Sequence, residues 1–183
     1  LDANALAGAD VITFQSGLTG TITLSTGQMD ITDSVSIVGP GAANLTIDAD
    51  RTSRIFYLYN GAGVIDVAIS GLLLGGGQET IGGAIVDFDE NLTLDSMVLD
   101  DNIASGDGLG DGGALWASGF NMTLTISDSV LSGNTAARDG EVIALDPASG
   151  RTKWSQDTKA DLAAGPGVGA SVVAVGTSDG KVI

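Results

Sequence analysis

Three stretches decide the fold: VAISGLLLGGG (67–77), LTLDSMVLDDN (92–102) and LTISDSVLSGN (124–134). Laid over one another, they are apolar at positions one, three, seven and eight in every copy. In the first copy these are Val67, Ile69, Leu73 and Leu74, and position eleven is Gly77, Asn102 and Asn134 in turn. Alternation with a period of two marks half-buried strands, and the intervening Gly, Asn, Asp and Ser are turn formers. The copies begin at Val67, Leu92 and Leu124, so the second interval is longer than the first. A second register agrees, since GGAI at Gly82 returns as GGAL at Gly112.

Outward from these units the same alternation continues through VITF, TITL, VSIV and LTID, so that it spans residues 11 to 135. No amphipathic helical stripe runs for more than ten residues, and the chain reads as all-β. Irregular periods with short recurring strands predict a solenoid, each coil giving two or three strands and stacking about 4.8 Å from the next. A sandwich would instead need hairpin turns about every 8–12 residues. The variable spacing is expected to be absorbed at one corner, in loops such as DDNIASGDGLGDGG (100–113). Asn102 and Asn134, recurring at one corner, are expected to stack and hydrogen-bond from coil to coil.

GLTGTITLSTGQMDITDSVSIVGPGAANLTIDAD (17–50), followed by the GGAI and GGAL units, resembles the right-handed parallel β-helix repeats of bacterial secreted and surface proteins. These are the polymorphic-outer-membrane-protein-like and autotransporter-like passenger domains. The likeness covers about residues 8 to 137, and SIVGPGAANLTID is its most specific phrase. It implies an extracellular, mostly structural or adhesive stalk.

From residue 138 the pattern changes. RDGEVIALDPASGRTKW (138–154) alternates as a strand from Glu141 to Asp146, turns through DPASG with Gly150 closing, and places Trp154 on the next strand. RDGEVI then returns as SDGKVI, with Asp139-Gly140 repeated at Asp179-Gly180. That interval is the period of one propeller blade, about 40 residues. Asp139, Gly140, Val142, Ala144, Leu145, Asp146, Gly150 and Trp154, then Asp179, Gly180 and Val182, resemble the blades of quinoprotein-like propellers of the BamB type. The resemblance implies a structural Trp154 that packs one blade on its neighbour. A closed propeller takes about four to eight blades, and this segment supplies one and the start of another, so no quinone cofactor is expected. The expected organisation is therefore a right-handed parallel β-helix over 1–137 and a propeller-blade-like segment over 138–183. The second piece reads as a fragment, a chimeric tail or an end cap.

Composition narrows the function. Seven basic residues face 23 acidic ones, a net charge of −16, which disfavours nucleic acid and anionic membranes as partners. Cysteine and histidine are both absent, which removes disulfides, thiolate metal sites and the commonest general base. Gly 28 of 183 residues, with aromatics at 4%, suits a repetitive β-protein. The N-terminus LDANALAGAD lacks a basic, then apolar, leader pattern and reads as mature or truncated. No stretch reads as a membrane span, because glycines and Pro166 interrupt the longest uncharged run.

The best site candidate is the acidic loop Asp100, Asp101, Asp107 and Asp111, whose carboxylates suit Ca²⁺, with Asp87, Asp89 and Glu90 as further contributors. Its spacing matches neither an EF-hand nor a nonapeptide calcium repeat, and the competing reading is a solvated corner loop. Asp100-Asp101 also raises a polysaccharide-cleaving role. With no histidine, and Arg51 and Arg54 as the sole close basic pair of this half, no enzyme is expected. That pair is expected to bridge Asp48 and Asp50. The sequons at Asn44, Asn91 and Asn121 read as turn residues before strands, and Trp116 with Phe120 is a candidate sugar platform or a packing pair. The leading expectation is a secreted or cell-surface structural or adhesive protein, self-associating or binding surface proteins, with carbohydrate a further candidate. A periplasmic scaffold for outer-membrane protein assembly is the alternative.

Overall fold

In the computed structural model the described residues are 4–5, 8–106, 112–120 and 122–136, together with the backbone of four later strands. The chain is all-β, and its main sheets are parallel. It visits the same sheets in the same order, round after round. The first round supplies β1 (Asp10–Thr13), β2 (Gly20–Thr23) and β3 (Met29–Ile31), and the second supplies β4 (Val35–Val38), β5 (Leu45–Asp48) and β6 (Phe56–Leu58). The third has four strands: β7 (Asp66–Ser70), β8 (Leu73–Gly75), β9 (Gln78–Glu79) and β10 (Ile85–Phe88). The fourth repeats them as β11 (Asn91–Asp95), β12 (Val98–Asp100), β13 (Ile103–Ala104) and β14 (Leu115–Ser118). Three strands of a fifth follow: β15 (Thr123–Ser127), β16 (Val130–Ser132) and β17 (Thr135–Ala136).

Corresponding strands pair side by side. One sheet runs β1-β4-β7-β11-β15, the next β2-β5-β8-β12-β16, a third β3-β6-β10-β14, and a narrow fourth β9-β13-β17. The register is the one read from the repeated units: Val67 pairs with Leu92, and Leu92 with Leu124. Ile85 pairs with Leu115, as GGAI and GGAL require.

Because side chains alternate across a strand, each round drops apolar groups into one interior column. Ile37, Ile69 and Leu94 stack in the first sheet, and Ile47, Leu74 and Leu99 in the second, all essentially buried. Each such side chain contributes about 1.5–3 kcal/mol by leaving water. Position seven of the unit faces outward, whereas position six, Leu72 and Met97, is buried with position eight. The turn between them explains this: position five is Gly71, Ser96 or Asp128, all at positive φ, which rotates the following residues by one face.

The extra residues of the longer rounds do not share one corner. The second round places its surplus between β6 and β7, and the fourth places its own between β13 and β14. Beyond the fifth round, β18 (Glu141–Leu145) and β19 (Thr152–Asp157) form an antiparallel hairpin in which Ala144 faces Trp154. A shorter antiparallel pair joins β20 (Gly167–Val168) and β21 (Val173–Ala174).

Candidate functional site

The acidic corner is held by the protein's own donors where it is described. Asp100 accepts a hydrogen bond from the Ser132 hydroxyl at 2.7 Å, and Asp101 forms an ion pair with Arg51. Asp107 and Asp111 lie outside the described residues. Among the described residues no group of three or more acidic side chains is placed to hold a metal ion. Arg51 thus reaches across rounds to Asp101, not to Asp48 or Asp50, because Asp48 turns back to cap the Asp50 N–H at 2.8 Å. Arg54 is buried, 3.8 Å from Glu79, and donates to the Ile81 carbonyl at 3.2 Å.

At the same corner Asn102 is fully buried and joins three rounds. Its side-chain oxygen accepts the Gly77 N–H at 2.9 Å, while its amide donates to the Leu74 and Asp100 carbonyls and to Asn134 Oδ1. Asn134 in turn accepts the Asn102 N–H at 3.0 Å and donates to the Leu99 carbonyl at 2.8 Å. Only a short amide offers a donor and an acceptor at this depth. Asn102→Ala leaves the Gly77 N–H without its side-chain acceptor and takes a donor from the Leu74 and Asp100 carbonyls, and is expected to lower stability by about 3 kcal/mol. A urea midpoint shifted by less than about 1 kcal/mol equivalent would contradict a structural ladder.

Three further carboxylates that sequence suggests as metal ligands are held by backbone donors. Asp87 points inward on β10, fully buried; one oxygen accepts the Glu90 N–H at 3.1 Å and the other has no hydrogen-bond partner. Burial pushes the Asp87 carboxyl up to about 6, with Glu90 and Asp89 adding to the rise. Glu90 accepts the backbone N–H groups of Asn60 and Ile65, each at 2.7 Å, and so clamps the surplus loop of the second round. Asp89 accepts the Phe120 N–H at 2.8 Å. These acids organise the backbone of neighbouring rounds.

The outer face of the β3-β6-β10-β14 sheet carries an aromatic stripe. Asp30, Tyr57, Val86 and Trp116 occupy one outward row. Tyr59 and Phe88 stand beside it. Ring centroids are 5.8 Å apart for Tyr57–Phe88, 6.3 Å for Tyr59–Phe88 and 4.8 Å for Phe88–Trp116. The Arg54 guanidinium lies 5.5 Å from the Tyr57 ring centroid. Val86 is fully buried although it faces outward, whereas Tyr59 is about half exposed and Phe120 fully so. Sequence reading singles out Trp116 and Phe120 and misses Tyr57, Tyr59 and Phe88. The available signal is the spacing for Val86 and Trp116, which stand at the step that relates GGAI to GGAL; Tyr57 joins their row through the pairing of β6 with β10.

An apolar cavity of about 160 Å³ lies under the first rounds, lined among others by Phe14, Leu24, Met29, Ile37 and Phe56. Trp154 is placed on β19 by its backbone alone. Among the described residues no helix is long and apolar enough to cross a membrane.

Comparison with known proteins gives one partial likeness. Over 48 residues, 26% of this chain, it is 40% identical to the outer membrane protein assembly factor BamB of Nitrosomonas eutropha. The matched stretch covers 12% of that protein's length. No family model matches the chain, and no solved structure matches it.

Proposed function

We propose that residues 8–137 form a right-handed parallel β-helix that serves as a non-catalytic scaffold in a bacterial envelope, structural or adhesive at the cell surface. The observation that supports this most is the repeated visit to the same parallel sheets in constant order, each round pairing with the next. Right-handedness follows from the strong preference of crossovers between parallel strands in one sheet. A stack of this kind is stiff, and its buried polar groups serve cohesion: Asn102 and Glu90 are both spent on backbone groups of neighbouring rounds.

The stretch similar to an outer membrane protein assembly factor favours a second reading, a periplasmic scaffold for outer-membrane protein assembly. The 138–183 segment, with its β18–β19 hairpin, is the part whose residues resemble that protein type. Antibody labelling of native cells separates the two. Labelling of intact cells is the expected result for the surface scaffold, and labelling only after outer-membrane permeabilisation supports the periplasmic one. Labelling that requires lysis of the inner membrane overturns both.

A further inference from the structure

We propose that the aromatic stripe is a docking surface for an arginine-bearing basic peptide segment in extended conformation. Four of the chain's eight aromatic residues (Tyr57, Tyr59, Phe88 and Trp116) are gathered on the outer side of one sheet. Isolated exposed aromatics are ordinary, but a contiguous stripe across three rounds marks an interaction surface.

Three observations select the occupant. The stripe already holds a guanidinium, that of Arg54 over Tyr57, so its rings accept this cation in this setting. Neighbouring rings are tilted by 60°, 74° and 62°, which leaves clefts between ring faces. A sugar ring stacks best across a broad flat face, whereas a guanidinium on a flexible stem reaches a single ring face inside a cleft between tilted rings. Charge is the third: exposed Asp30 lies in the same outward row, and the chain carries −16 overall, which attracts a basic segment and repels an acidic one. An extended segment places side chains on one side about every 7 Å, comparable with the 4.8–6.3 Å between ring centroids. The inference holds in either envelope compartment.

The test is calorimetric titration of the whole chain with a peptide alternating arginine and serine. A glutamate–serine peptide and a neutral glucan oligosaccharide are run beside it. Saturable binding of the arginine peptide alone is expected. The double variant Tyr59→Leu/Phe88→Leu keeps apolar area and net charge while removing both π faces, and should weaken binding about tenfold. Asp30→Asn should weaken it several-fold, whereas Asp128→Asn, an equal charge change in the turn between β15 and β16, should leave it within about twofold. Unchanged unfolding midpoints establish that the variants are folded, and Tyr59→Phe/Phe88→Tyr, which keeps both rings, should bind like the parent. Absence of saturable binding, equal binding by the leucine variant, or preference for the oligosaccharide overturns the proposal.

Discussion

Replacing Glu90 with alanine is expected to lower stability by about 4 kcal/mol, more than Asn102→Ala. Glu90 is almost wholly buried, and its two oxygens each take a backbone N–H, from Asn60 and from Ile65, at 2.7 Å. Hydrogen bonds to a charged acceptor are stronger than neutral ones. Leaving a buried donor unsatisfied costs about 1–3 kcal/mol apiece. The loop from Tyr59 to Ile65 carries the surplus of the second round, and apart from the Glu90 bonds it is held at its ends, by the Tyr59 N–H on the Ile31 carbonyl and by buried Ile65, so alanine loosens the stretch between them. Glu90→Gln retains one carbonyl acceptor but points an NH₂ at the other donor, and should lose about 2 kcal/mol. Urea unfolding of the three proteins checks the order. Equal stability of alanine and glutamine variants would show that the two backbone bonds are not what Glu90 contributes.

The strands and their register are legible in the sequence because a period of two, recurring in aligned units along the chain, has few other physical readings. Val67, Leu92 and Leu124 align by pattern alone, and they pair in that register. The antiparallel pairing of β18 with β19 is legible for a local reason, two alternating runs on either side of DPASG, a stretch that itself lies outside the described residues. The inward face is less accessible. Position seven is as apolar as position eight, and only the positive-φ residue at position five decides which of them enters the core. Leu72 and Met97 escape notice as core residues on that account. The acidic loop is conspicuous and suggests a single surplus corner, yet Tyr59 to Ile65 is equally an insertion. Its apolar and small residues conceal it in a one-dimensional pattern.

The acids are harder still. A carboxylate in sequence carries no mark of depth, so Asp87 and Glu90 look like extra ligands for a surface cation. Alternation from Ile85 places Asp87 inward, and that inference is available: residues 85 and 87 share a face. What cannot be read is the partner of Glu90, since its two donors, Asn60 and Ile65, lie in an irregular loop of the preceding round. Arg51 shows the same limit. Sequence proximity suggests Asp48 and Asp50, but the stacking of rounds brings the distant Asp101 within reach.

Asp87 makes stability depend on pH in the direction opposite to an ordinary surface carboxylate. Its folded pKa is raised to about 6 from an ordinary value of 3.8, chiefly by burial. The folded state therefore holds the proton more tightly than the unfolded chain does. Its favourable contribution is complete below about pH 4 and is lost as pH rises through about 6. A difference of that size corresponds to about 3 kcal/mol. Against the same protein carrying Asp87→Asn, which keeps the acceptor for the Glu90 N–H but does not ionise, the parent should lose about 3 kcal/mol between about pH 4 and pH 7. The asparagine variant should be the more stable protein at neutral pH, by roughly 2 kcal/mol once its buried amide is counted. Denaturation midpoints of both proteins across that range give the difference directly, and carboxylates common to both cancel. A pH-independent difference would mean that Asp87 titrates normally and that water reaches its second oxygen. The slope should also shrink in Glu90→Gln, because the Glu90 charge is one of the causes that raise the Asp87 pKa. The two substitutions should therefore combine less than additively, as expected for one coupled buried pair.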